Sequence, residues 1–351
     1  MQGLLRKTLI IRLSSVGDII LSSLLVRALR KKSPGSQIDY LVKSEFAELL
    51  NASPHLSTVL ELPPGAPFAD LRRMRTQIHG AGYDLIIDIH DSLRSRFLTF
   101  GGPPTVRIRK RKLARWLLVR FKLNLYARLG GAPGVAERYL EPVQAYGVDD
   151  DGQGLELFLR EREVRIAEET LRPLLSHDGG PIVGIAPSAR HWNKRWPADR
   201  FADAAIEIHR NTKARILLFG AANEHELCSA IEQRIHAQAP RAAVMNLAGR
   251  LTLIQTAAAM DHCSAIVSND SGLMHIAAAR QRPVVALFGP TVRELGFFPF
   301  RTPNVVLERE DVPCRPCTHI GLPTCPRKHF RCMLDITVPV VVAATENFLE
   351  Q

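Results

Sequence analysis

Short apolar runs that end in small polar residues and then open into helical periodicity recur from one end of the chain to the other. Residues 8–13 form a run rich in β-branched side chains, broken by Ser14, Ser15 and Gly17. From Asp18 to Lys32 apolar residues recur at helical spacing, and Pro34 and Gly35 stop the pattern. Strands are expected again at 38–42, 59–62 and 85–89, and helices at 44–51, 69–79 and from Ser92 onward. Strands alternating with helices build βαβ units, and hence a parallel sheet.

The stretch 145–160 is polar and glycine-rich, as a linker should be. A second alternation follows it. Strands are expected at 182–186, 215–219, 265–268 and 284–288, and helices at 197–210, 223–236, 253–261 and 272–279. Residues 338–349 read as a closing helix. With 351 residues the chain exceeds one ordinary core. The expected organisation is an α/β domain over 1–155, a second over 156–335 with a cysteine-rich loop at 314–332, and a closing helix over 336–351. Two such domains joined by a linker normally place their site in the cleft between them.

In open parallel sheets ligands gather at the carboxyl ends of the strands. The ends of these strands carry the chemistry of interest. Asp18 follows Ser15 and Gly17 at the first helix start; a dipole-stabilised cap and a ligand-facing carboxylate both fit it. The loop lacks GxGxxG, which disfavours a dinucleotide. Ser188 and Lys194 lie in a strand-to-helix loop ahead of Pro197, where a hydroxyl, backbone N–H groups and an ammonium can meet phosphate oxygens. Glu224 follows Gly220 after another strand; it suits a ribose hydroxyl or a plain helix start. Asp270, Ser271, Gly272 and His275 form the most informative stretch, with two small residues able to offer N–H groups to a pyrophosphate. Pro290 and Thr291 close a further strand-end turn. Several strand ends of the second domain agree, and that supports a nucleotide cleft.

Net charge is +11, which favours anionic partners. Arg107, Arg109, Lys110, Arg111, Lys112, Arg115, Arg120 and Lys122 interleave with Trp116, Leu117, Leu118, Val119 and Phe121. A solvated basic face is the plain reading; docking on an anionic, lipid-like surface is the functional one. Arg72, Arg73 and Arg75 add cations upstream. Arg12 and Asp18 interrupt the first apolar stretch, so a signal peptide is not expected. No apolar run reaches the length of a membrane span. Asp149 and Asp151 make a literal DxD, read here as solvated linker charge.

Four of the six cysteines crowd together as Cys314-x2-Cys317-x7-Cys325-x6-Cys332. In a reducing compartment they suggest a structural zinc, with His319 and His329 as spare ligands; reduced thiols in a proline-rich loop fit as well.

Taken together, residues 14–18, 194–197, 270–275 and 289–291, with the cysteine loop ending His329-Phe330-Arg331-Cys332-Met333, resemble the ADP-heptose:lipopolysaccharide heptosyltransferases, glycosyltransferase family 9. The likeness covers nearly the whole chain, and the cysteine loop is similar to the heptosyltransferase II branch. It implies a GT-B fold of two facing Rossmann-like domains, with acceptor on the first and donor on the second. It implies inverting, metal-independent transfer of heptose from ADP-heptose to the lipopolysaccharide inner core. No cofactor is then required for catalysis. On that pattern Asp18 is the general base and Lys194 neutralises the diphosphate. Ser188, Glu224, Asp270, Ser271, Gly272, His275, Pro290 and Thr291 bind the donor; Ser15, Gly17, Arg72, Arg73, Arg75 and Arg94 bind the acceptor. His90-Asp91 replaces the usual Gln-Gly after the fourth strand. The implied protein is a cytoplasmic monomer, peripheral on the inner membrane, that does not bind nucleic acid. The rivals are a GT-B transferase or epimerase for another nucleotide sugar, and a zinc-containing nucleic-acid-binding protein whose affinity would fall steeply with salt.

Overall fold

The computed structural model describes residues 5–128, 131–177 and 179–350, and the side chains of Ala127 and Arg128 lie outside the description. Its chain forms two units, Met1–Lys110 with Pro133–Phe158, and Arg111–Ala132 with Leu159–Gln351.

The first unit holds strands β1 (Lys7–Ile11), β2 (Gln37–Lys43), β3 (Thr58–Leu62), β4 (Leu85–Asp88) and β5 (Thr105–Arg107). They lie in the order β3-β2-β1-β4-β5, all parallel. Helices α1 (Val16–Leu21), α2 (Ser23–Lys32), α3 (Phe68–Gly80) and α4 (Leu93–Thr99) connect them. Leu9, Ile11, Leu41 and Ile86 of the sheet pack with Leu71, Met74 and Ile78 of α3. The expected helix over 18–32 is split at Ser22. Its hydroxyl bonds back to the Ile19 carbonyl at 2.6 Å and meets the Tyr40 hydroxyl at 2.8 Å, and such back-bonding bends helices. Residues 44–51, expected as a helix, form only the 3-10 turn Ser44–Leu49.

The second unit begins with α5 (Lys112–Phe121) and α6 (Leu125–Arg128); the first unit resumes with α7 (Val135–Arg138). Thus 111–132, counted with the N-terminal domain by sequence, packs with the second unit. The reason is apolar: Ala114, Leu118 and Tyr126 bury against Leu295. The rest is α8 (Glu161–Leu175), β6 (Ile182–Ala186), α9 (Ala198–Thr212), β7 (Arg215–Leu218), α10 (His225–Gln238), β8 (Val244–Asn246), α11 (Leu253–Met260), β9 (Ala265–Asn269), α12 (Gly272–Ala279), β10 (Val284–Phe288), β11 (Asn304–Glu308), α13 (Arg331–Leu334) and α14 (Val338–Leu349). The strands form a parallel six-stranded sheet, β11-β10-β9-β6-β7-β8. β6, β9 and β10 are buried along their whole length, as central strands covered on both faces are. Helix α14 is part of this unit's core, through Val341, Val342 and Ala344.

Asp151 is not the solvated charge its Asp-rich, glycine-flanked setting suggested. It accepts two bonds from the almost fully buried Arg27 (Nε 2.6 Å, Nη2 2.8 Å) and one from Lys31 (2.7 Å). Glu156 adds a contact to Arg27 at 3.3 Å. These pairs tie the end of the first unit's chain to α2. The Arg27 hydrogen bonds outweigh burial and hold the Asp151 carboxyl well below the usual carboxylate range. A lowered carboxyl pKa stabilises the fold above the unfolded value, and that contribution is lost as pH falls through the folded value. Asp151→Ala removes both short bonds to the buried guanidinium and leaves it the longer Glu156 contact, so urea unfolding should show a loss of about 2 kcal/mol.

Candidate active site

In each sheet the strand order reverses once beside the strand that starts the unit: between β1 and β4, and between β6 and β9. Ligands bind outside the carboxyl ends of strands at such a switch point. The loops leaving β1 and β4 carry Asp18 and His90. Those leaving β6 and β9 carry Lys194 and Asp270.

Ser15 caps α1, and Asp18 lies in its first turn. The Asp18 carboxylate pairs with the Arg12 guanidinium at 2.6 Å. It accepts from the Ser15 hydroxyl at 2.9 Å and from the Tyr139 hydroxyl at 3.0 Å. Arg12 is itself held by the Ile89 carbonyl at 2.7 Å and lies 5.7 Å from the Tyr139 ring centre. Burial alone would raise the Asp18 pKa, but Arg12, Ser15 and Tyr139 together outweigh it and hold the carboxyl low. Tyr139 shifts the other way: burial and the Asp18 charge keep its proton in place. Burial, Arg12 and Lys110 push His90 down to about 4, so it is neutral near pH 7. Gly17 is buried within α1.

Arg12 and Tyr139 belong to this cluster without a signal in the sequence. Arg12 reads there only as a charge interrupting an apolar stretch, and Tyr139 arrives from 121 residues away.

Arg72, Arg73 and Arg75 sit on α3, and Arg94 on α4, which packs against α3. Arg73 pairs with Asp70 at 3.4 Å, and Arg75 donates to the Phe100 carbonyl at 2.8 Å. Among the described residues none of the four bonds to the Asp18 cluster.

In the second unit Lys194 and Asp270 pair at 2.6 Å, and Thr291 donates to Asp270 at 2.8 Å. These two contacts, both made by Asp270, join three strand-end loops. Asn269, fully buried at the end of β9, holds both ends of the loop leaving β6 by accepting from the Trp196 N–H (3.0 Å) and donating to the Pro187 carbonyl (2.8 Å). Ser271 caps α12, whose first residue is Gly272. His275 is buried one turn in, with its ring 6.4 Å from Phe297. Ser188 donates a short bond to Glu224, which also accepts from the Ala221 N–H at 2.8 Å. Ser188 and Glu224 thus meet, as do Lys194, Asp270 and Thr291.

The cysteine loop braces these loops through its polar residues. Arg315, buried, donates to the carbonyls of Gly289 and Thr291 and to Glu308, fixing the turn that contains Pro290. The Asn193 N–H donates to the Leu322 carbonyl at 3.2 Å, and the Leu322 N–H donates to the Asn193 side-chain Oδ1 at 2.7 Å. The expected zinc site is not supported. Among the described residues no group of three or more His, Cys, Asp or Glu is arranged to hold a metal ion. All four thiols are free. Burial, reinforced by the neighbouring thiols, pushes Cys332 up to about 12 and also raises Cys317. Cys332 lies in the apolar core with Phe330 and Met333.

A profile of glycosyltransferase family 9 (heptosyltransferase) matches residues 71–325. Lipooligosaccharide heptosyltransferase 2 of Haemophilus influenzae is 31% identical over 301 residues, covering 81% of this chain and 83% of that protein. Lipopolysaccharide heptosyltransferase 2 of Salmonella typhimurium is 30% identical over 294 residues, with the same coverage. Among solved structures, the E. coli ADP-heptose lps heptosyltransferase II superposes with a TM-score of 0.72 at 26% identity, over 98% of this chain and 99% of that one. A family 9 glycosyl transferase from Veillonella parvula reaches 0.79 at 21% identity, over 98% and 97%. The α/β architecture is that of the GT-B heptosyltransferase structures.

Proposed function

Because this chain belongs to glycosyltransferase family 9, we propose that it transfers heptose from ADP-heptose to the inner core of lipopolysaccharide at the cytoplasmic face of the inner membrane. The observation that carries this reading is a pair of switch-point sites of opposite chemistry. One presents a carboxylate held ionised by Arg12; the other presents Lys194 beside a helix start.

An acceptor hydroxyl attacks the anomeric carbon of the donor. The bond from that carbon to the diphosphate oxygen breaks, its electron pair leaves on the diphosphate, and the configuration inverts. The hydroxyl proton passes to Asp18. A carboxylate held this low is a reluctant base, so it takes the proton only as the new bond forms and the hydroxyl becomes strongly acidic. Charge developing on the diphosphate meets the Lys194 ammonium and the N–H groups of Ser271 and Gly272. Glu224, set by Ser188, accepts from the ribose. With that charge met by the protein's own groups, no divalent ion is needed.

ADP release, measured with ADP-heptose and a de-acylated core acceptor, should require the acceptor and survive EDTA. UDP- and GDP-sugars should not substitute. Turnover of donor without acceptor would indicate an epimerase, and strict dependence on added Mg²⁺ would overturn the lysine-based mechanism.

A further inference from the structure

The outer face of α5 has no role in either switch-point site. From Ser92 to Ala136 the chain carries eleven Lys and Arg and no Asp or Glu, a surplus equal to the net charge of the whole protein. Within that stretch α5 has two unlike sides. Ala114 and Leu118, four residues apart, face inward against Tyr126 and Leu295. The segment is fixed in place: Lys122 donates to the Pro316 carbonyl at 2.6 Å, and Asn124 to Glu294 at 2.7 Å. Leu113 and Trp116, three residues apart, point outward at 67% and 54% exposure, and Phe121 and Leu123 follow at 52% and 55%. Trp116 and Phe121 meet edge to face with ring centres 5.1 Å apart. Lys112 and Arg120 are exposed on the same helix.

A soluble surface rarely gathers four large exposed apolar side chains within eleven residues. A helix with one anchored face, and an outer face of Leu, Trp and Phe among cations, suits the headgroup boundary of a bilayer. Its apolar side chains would enter the acyl region while Lys and Arg keep their charges at the phosphates. The stretch from Ser92 to Ala136 contributes no carboxylate of its own to repel an anionic lipid. We propose that the outer face of α5, through Leu113, Trp116 and Phe121 with Lys112 and Arg120, together with Leu123 just past its end, docks the enzyme on an anionic phospholipid bilayer. This deepens the membrane-face reading above, yet the vesicle assay that tests it contains neither donor nor acceptor, so the two can fail separately.

The full chain should co-sediment with vesicles of equal parts phosphatidylglycerol and phosphatidylcholine, at least about tenfold more than with phosphatidylcholine alone. Leu113→Ser/Trp116→Ser and Lys112→Ser/Arg120→Ser should each weaken that binding about tenfold, with melting temperature and ADP affinity unchanged. Brominated phosphatidylglycerol should quench a part of the tryptophan emission that is missing from the conservative Trp116→Phe variant. Equal binding to neutral vesicles, variants that bind like wild type, or quenching unchanged in Trp116→Phe would each overturn the proposal. So would a dimer in solution that the Leu113/Trp116 variant abolishes while vesicle binding persists, since a second copy would then be the occupant.

Discussion

Asp18→Asn should lower transfer about a thousandfold while donor affinity stays within about twofold, because the proposed proton acceptor is removed and nothing in the second unit is touched. The amide keeps the size of the carboxylate and can still accept from Ser15 or Tyr139, but it cannot take a proton. It also cannot neutralise Arg12, which is why melting temperature must be measured alongside turnover. The pH profile offers a second test. The folded carboxyl sits below its ordinary range, so Asp18 is ionised throughout the neutral and mildly acidic region. The acid limb of kcat/KM should therefore fall at lower pH than an unperturbed carboxylate would give. Removing Arg12 should move that limb upward. A mutant that turns over at near the normal rate would remove Asp18 from the role of base, and an acid limb near neutrality that disappears with Asp18→Asn would show that its carboxyl is not held low.

Lys194→Ala should cost about a hundredfold or more in kcat/KM, the scale seen when one preorganised charge-stabilising group is lost. Two effects act in the same direction. The ammonium proposed to meet the departing diphosphate is gone, and Asp270, almost fully buried, keeps among the described residues the Thr291 hydroxyl but no cation within bonding distance. The double variant Lys194→Ala/Asp270→Ala separates them. If Lys194 acts on the donor, relieving Asp270 recovers no more than about tenfold; near-complete recovery would show that the lysine serves only to neutralise its partner.

Much of the fold is legible along the chain. The strands at 182–186 and 284–288 and the helices at 272–279 and 338–349 have the boundaries that periodicity predicts, because each is bounded by small or turn-forming residues and buried in a consistent pattern. β5, β8 and β11 are not legible. They are three to five residues long and lie at or next to sheet edges, without a fully buried pattern. Helix α8 was hidden by its polar, Glu- and Arg-rich sequence with Pro173 inside, although it keeps Ala167, Leu171 and Leu174 buried on one face.

The site divides in the same way. Asp18, Lys194, Glu224 and Asp270 are visible because each follows a strand and opens a helix, a placement that chain order alone specifies. Arg12, Tyr139, Asn269 and Arg315 are not, since each acts through a partner brought near only by folding. The four cysteines mislead for the same reason: their spacing suggests a metal site, but ligand geometry depends on where the loop packs, and Cys332 packs into the apolar core. What the sequence by itself determined is the two parallel-sheet units and the strand-end positions of the groups that carry charge, because periodicity and turn chemistry are local. What the tertiary structure alone decided is the state of those groups. Arg12 and Tyr139 hold Asp18 ionised, Lys194 and Thr291 grip Asp270, and the buried Arg27 pairs with Asp151, since a charge taken out of water takes its properties from neighbours that no local pattern names.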